Sequence, residues 1–132
     1  MEETRYRRGL EAVRKLDEGN AARLEEALKE IAPDLYRYII EFAFGDILSR
    51  PGLPVATREI VTLSALSAMG TAQPQLRVHI NAALNVGVPR AQIVELFMQI
   101  AVYAGIPAAL NARYLAPEDS EGTGRSRSAG SG

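Results

Sequence analysis

The chain has 132 residues, no cysteine, no tryptophan and a single histidine, His79. Fifteen basic and 16 acidic residues leave a formal charge of −1. The missing sulfur excludes disulfide scaffolds, thiolate metal sites and cysteine nucleophiles, and one imidazole cannot build a multi-histidine metal site within one subunit. Balanced charge gives no footprint for nucleic acid or an anionic membrane. No basic-plus-apolar leader is present and no apolar run reaches the ~18 residues of a membrane span, so the chain is expected to be soluble and cytoplasmic.

Length and patterning predict one all-α domain over residues 1–117, a compact bundle of about seven helices joined by short loops. Residues 118–132, EDSEGTGRSRSAGSG, contain no aliphatic side chain larger than alanine and read as a flexible tail, similar to an expression or fusion linker. An amphipathic segment from Arg5 to Leu16 comes first, closed by Gly19. Asn20 then caps a helix to Ile31 whose Leu24, Leu28 and Ile31 form a stripe. Pro33 ends it, Asp34 caps the next helix, and that helix runs to Leu48 with apolar residues on much of its circumference: Leu35, Ile39 and Phe42 on one side, Tyr36, Ile40, Ala43 and Ile47 beside them. It is either a core helix or an interface helix. After Ser49-Arg50-Pro51-Gly52, a Pro54-led helix extends to Met69. Others run from Pro74 to Gly87, from Pro89 to about Ala104, and, past Gly105 and Pro107, through Leu115.

His79 lies mid-helix with Leu76, Ala83 and Val86 on its face, where partial burial suits either acid–base work or a core histidine satisfied by one hydrogen bond. Glu59 shares a stripe with Val55, Thr62, Leu63 and Leu66 near a helix start, where the dipole favours a carboxylate in any case. Its apolar stripe makes it a functional candidate; Arg58, about 100° away around the helix, is by itself a surface arginine. Asp46, in a last helical turn, opposes the dipole and requires compensation; Arg50, four residues on, is the nearest candidate, as ion-pair partner, anion ligand or both. Tyr103, Gly105, Pro107 and Asn111 gather at a broken helical joint, which lines either a cavity or a simple packing turn.

Four strings together, EFAFGDILSRPGL (41–53), TREIVTLSALSAMG (57–70), PQLRVHINAALNVGV (74–88) and IVELFMQIAVYAGIPAALNA (93–112), resemble the carboxymuconolactone decarboxylase family. The resemblance implies an alkylhydroperoxidase D-like fold, obligate homo-oligomers (trimers or hexamers) and cofactor-free, metal-free loss of CO2 from a small unsaturated or lactone carboxylate. The peroxidase branch carries CxxC before its histidine; here GTAQPQLRVH (70–79) has no sulfur, so thiol peroxidase chemistry is not implied. By the same resemblance His79 and Glu59 are the catalytic pair. The resemblance also makes Arg50 and Arg58 candidate binders of a small anionic substrate and Tyr103 and Asn111 candidate lining residues, and Asp46 is expected to join them in substrate binding. The competing expectation is a catalytically silent oligomeric module, natural or engineered as an assembly scaffold.

Overall fold

A computed structural model describes residues 2–116; the expected tail lies outside them. The described residues are helical: α1 (Glu2–Leu16), α2 (Asn20–Leu28), α3 (Pro33–Tyr38), a π-helix (Ile39–Leu48), α4 (Val55–Met69), α5 (Gln73–Asn85), α6 (Arg90–Ala104) and α7 (Ile106–Leu115). There are thus seven α-helices, as the periodicity predicts, plus one π segment. Among the described residues no helix is long and apolar enough to cross a membrane.

The apolar residues assemble into two cores that meet along α5. Leu63, Leu76, Ile80, Ala83, Val88, Ile93, Leu96, Phe97 and Ala112 join α4, α5, α6 and α7. Val13, Leu16, Ala21, Tyr36, Ile40, Phe44 and Ala82 join α1, α2, α3 and the π-helix. Adjacent residues Ala82 and Ala83 face different cores, and Val86 packs against both. Helix α5 is therefore the spine, and the space between the two halves is where a cavity can open.

Three expectations are corrected. Helix α2 stops at Leu28, and Ile31 is 85% exposed, so the Leu24–Leu28–Ile31 stripe buries only its first two members, and those partly. Neither Asn20 nor Asp34 acts as a side-chain cap: Gly19 and Ala32 occupy the cap positions, and Asp17 Oδ1 instead accepts the Gly19 N–H at 3.1 Å. The segment expected as one α-helix to Leu48 changes at Ile39 into a π-helix that buries Ile40, Phe44 and Gly45 and leaves Phe42 and Ile47 exposed.

The π-helix is clasped by α1 through backbone contact. A Cβ on Gly9 would lie 2.0 Å from the Ile40 carbonyl oxygen, and one on Gly45 would lie 2.6 Å from that of Arg5, so only glycine permits this approach. Arginines lock it. Arg5 Nε donates to Asp46 Oδ1 at 3.0 Å, and Arg8 Nη2 reaches the same oxygen at 3.2 Å. Arg8 Nε also donates to the Gly45 carbonyl at 2.6 Å, an acceptor shared with Ser49 Oγ at 2.6 Å. Asp46 is thus compensated from α1 and not by Arg50; hydrogen bonding to Arg5 above all, with Arg8 adding to it, holds its carboxyl below the usual carboxylate range. Burial works the other way, but loses to two guanidinium groups. The buried Glu41 is paired with Arg37 at 3.0 Å and Arg5 at 3.6 Å.

Because the Gly9 contact is with rigid backbone, Gly9→Ala must separate α1 from the π-helix. Thermal unfolding of the variant is expected to show a loss of about 3 kcal/mol, read as a midpoint roughly 10 °C lower. An unchanged midpoint would contradict the clasp.

Candidate functional site

Glu59 is 1% exposed, one of few polar residues that far inside. The spacing of α4 forces it there: Glu59 and Leu63 are one turn apart on the face that meets α5, and Leu63 is fully buried. A carboxylate so placed loses its hydration, and the cost is prohibitive unless a partner replaces the water. Helix α5 supplies that partner. His79 Nδ1 lies 3.0 Å from Glu59 Oε2, with the imidazole 18% exposed and the carboxylate side chain 2% exposed. The two residues singled out from separate helices therefore form one hydrogen-bonded pair.

The pair's geometry constrains its proton. With Glu59 ionised, Nδ1 carries the hydrogen that Oε2 accepts, which leaves Nε2 as the nitrogen that gains or loses a proton. The carboxylate thereby fixes the orientation of the ring.

Glu59 lies on the wall of a cavity of about 420 Å³ between the two halves of the molecule. Four elements line it. Helix α1 contributes Arg8, Glu11, Ala12, Lys15 and Leu16; the π-helix and the turn after it Phe44, Leu48, Ser49, Arg50 and Pro51; the approach to α4 Leu53, Pro54 and Val55; and α4 itself Arg58 and Glu59. His79 is not among the lining residues, so of the pair it is Glu59 that borders the cavity and His79 that stands behind it.

Arg50 and Arg58 both border the cavity. Arg58 Nη2 donates to the Arg50 carbonyl at 2.8 Å, which ties the two positions together. Arg58 Nε is buried with no hydrogen-bond partner. A guanidinium N–H removed from water and left unmatched is an unusual cost, and an anion entering the cavity would remove it. Arg58, read from sequence alone as a surface residue, is half-buried.

The remaining expected site residues are elsewhere. Asp46 is held by Arg5 and Arg8 and does not border the cavity. Tyr103 is 86% exposed on the outer surface, and Asn111 is exposed beside a separate void of about 10 Å³, too small for a substrate. The joint at Gly105 is a packing turn whose φ of 97° requires glycine. What sequence reasoning missed is α1: Arg8, Ala12 and Lys15 follow i, i+4, i+7 spacing, and that signal placed three residues on one face without indicating that the face looked inward.

A second cavity of about 470 Å³ opens among Tyr6, Glu25, Lys29, Pro33, Tyr36, Arg37 and Glu41. Its polar groups are already matched: the Tyr6 and Tyr36 hydroxyls share a hydrogen bond of 2.8 Å, and Arg37 pairs with Glu41. Burial, and then the bond to Tyr6, pushes the Tyr36 phenol well above the ordinary tyrosine range, so it stays neutral. Lys29 pairs with Glu26 at 2.9 Å, and among the described residues no buried unpartnered polar atom faces this cavity. Among the described residues no three histidine, aspartate or glutamate side chains converge on a point suited to a metal ion.

The sequence model of the carboxymuconolactone decarboxylase family matches residues 33–118, from the start of α3 to just past the end of α7. The chain belongs to this family. It is 39% identical over 118 residues to the 4-carboxymuconolactone decarboxylase of Acinetobacter baylyi, covering 89% of this chain and 87% of that protein. It is 33% identical over 92 residues to the nitrosuccinic acid decarboxylase of Metarhizium robertsii, covering 67% and 64%. A 15.0 kDa protein of Paracoccus denitrificans is 32% identical over 83 residues, covering 62% of each. Glu59, His79, Arg50 and Arg58 all fall inside the family segment; the α1 wall of the cavity lies before it.

The pair makes a prediction for stability. His79→Leu strands a buried carboxylate and is expected to cost roughly 3 kcal/mol, whereas the double variant His79→Leu/Glu59→Leu recovers most of that loss, because an apolar pair replaces an ionic one. Denaturant unfolding of the two single variants and the double variant measures the coupling; additive losses would show that the side chains do not depend on one another.

Proposed function

We propose that this protein is a decarboxylase that uses only its own side chains, acting on a small unsaturated or lactone carboxylate. The observation that carries the reading is the buried Glu59–His79 pair, whose Glu59 borders a cavity where Arg58 Nε lacks a partner. Membership of a family with two named decarboxylases among the relatives supports it.

In this scheme Arg50 and Arg58 hold the anionic substrate through charge-assisted hydrogen bonds. The carbon–carbon bond to the leaving carboxylate breaks, CO2 departs, and the electron pair passes into the conjugated system. A substrate carbon then takes a proton from the Glu59–His79 pair, and the pair is reprotonated from solvent through the partly exposed imidazole. Burial strengthens each of these interactions by excluding water.

The test follows CO2 release and loss of lactone absorbance with 4-carboxymuconolactone. Glu59→Gln and His79→Gln, which keep volume and hydrogen-bonding capacity, are expected to lower kcat by about 10²–10⁴-fold. Wild-type rates in either variant would remove the pair from the mechanism. No CO2 from the wild-type protein with any of a panel of carboxylated lactones would overturn the assignment.

Self-association as a trimer or hexamer is part of the same reading. What supports it is a set of apolar stripes at helical spacing that one subunit leaves uncovered: Val94, Met98 and Val102 on α6 and Ile106, Leu110 and Tyr114 on α7. Light scattering at micromolar concentration is expected to report three or six subunits; a monomer contradicts it.

A further inference from the structure

Arg58 has a long side chain and one handhold. Its backbone sits in the first turn of α4, and among the described residues the single hydrogen bond its guanidinium makes runs from Nη2 to the Arg50 carbonyl at 2.8 Å. Nε is buried without a partner. The orientation of the fork therefore follows the position of that carbonyl, which belongs not to a helix but to the turn Ser49-Arg50-Pro51-Gly52 between the π-helix and α4.

What holds the turn can be named. Pro51 offers no N–H, and it confines Arg50 to extended backbone conformations, so the Arg50 carbonyl is set once Ser49 is set. A Cβ on Gly52 would touch nothing within 4 Å, so that corner is open. The backbone contributes N–H bonds from Ser49 and Arg50 to the Ile47 carbonyl, the latter at 3.1 Å. The side-chain tie is shorter: Ser49 Oγ donates to the Gly45 carbonyl at 2.6 Å, and Arg8 Nε donates to the same oxygen from α1 at 2.6 Å. Ser64 and Ser67 make the same bond, to the carbonyl four residues back, inside α4, where the helix already fixes their backbone. Ser49 makes it one residue past the end of the π-helix, where it fastens the turn to an acceptor that α1 also grips.

We propose that Ser49 is a positioning residue for Arg58. Its hydroxyl pins the turn, the turn presents the Arg50 carbonyl, and that carbonyl holds Nη2 so that the Nε–H stays free for an anion in the cavity. Ser49 borders the same cavity, but its proton is committed to Gly45, so it acts through Arg58 and not on the substrate. The proposal rests on the reading of this cavity as the substrate site. A guanidinium fork already fixed in place loses less side-chain freedom on binding than a swinging one, so affinity for a carboxylate depends on the tie.

Arginine side-chain magnetic resonance spectra separate this claim from catalysis. The Arg58 Nε–H signal is assigned by its loss in Arg58→Lys. In the ligand-free wild-type protein, rotation of this guanidinium about its Nε–Cζ bond is expected to be slow; Ser49→Ala should speed it, and Ser49→Thr, which keeps the hydroxyl, should restore it. The same signal is then followed while sorbate, an unsaturated monocarboxylate, is added. Ser49→Ala is expected to weaken sorbate binding about tenfold, with Ser49→Thr matching the wild type. Fast rotation in the wild type, rotation or affinity indifferent to Ser49→Ala, or no response of the Arg58 signal to sorbate at roughly millimolar concentration overturns the proposal. Absence of CO2 release with both effects intact would instead count against the decarboxylase reading alone.

Discussion

A carboxylate with 1% of its surface exposed is a constraint that the neighbouring structure has to meet. Glu59 cannot be ionised inside α4 without a partner, and α5 is the helix positioned to give one. Once His79 is fixed 3.0 Å away, α4 and α5 are locked in register, and the imidazole is held in one orientation with its second nitrogen unengaged by the carboxylate. Stability and chemistry are then the same interaction. A hydrophobic pair would serve the core at least as well, which is why the proposed reaction assigns the proton transfer to this ionic pair.

The second determinant is how α1 closes the cavity that Glu59 borders. Two glycines, Gly9 and Gly45, let α1 and the π-helix touch backbone to backbone, and Arg5 and Arg8 fasten the contact to Asp46. The same helix face then carries Ala12, Lys15 and Leu16 to the cavity wall. A π-helix in this position is in keeping with the tendency of wide turns to occur where a helix is shaped for a site. Here it offers the Gly45 carbonyl to two donors outside the helix, Arg8 and Ser49.

Much of this was legible in the residues. Proline and glycine punctuation placed the seven α-helices because each acts through local backbone geometry, and the apolar stripe of α4 marked Glu59 as anomalous before any partner was visible. What could not be read is long-range. Asp46 called for a cation, and the nearest in sequence was Arg50; the actual partners, Arg5 and Arg8, are 41 and 38 residues away and arrive only through the glycine contact. Tyr103 and Asn111 sit at a helical break, a local signal that does not reveal which side of the break faces a cavity. The shift from α to π at Ile39 is invisible to a periodicity that assumes 3.6 residues per turn, which therefore did not separate the buried Ile40 and Phe44 from the exposed Phe42 and Ile47.

Because His79 is the sole histidine, its ring nitrogens can be observed without assignment. Two-bond proton–nitrogen correlation spectra of histidine-labelled protein read the tautomer directly. The account predicts that Nδ1 carries a proton in the neutral ring, held by Glu59, and that Glu59→Gln weakens that preference and shifts the neutral ring toward the Nε2-protonated form. A wild-type ring already in the Nε2-protonated neutral form, or one indifferent to Glu59→Gln, would show that Glu59 does not orient His79 and would contradict the central claim.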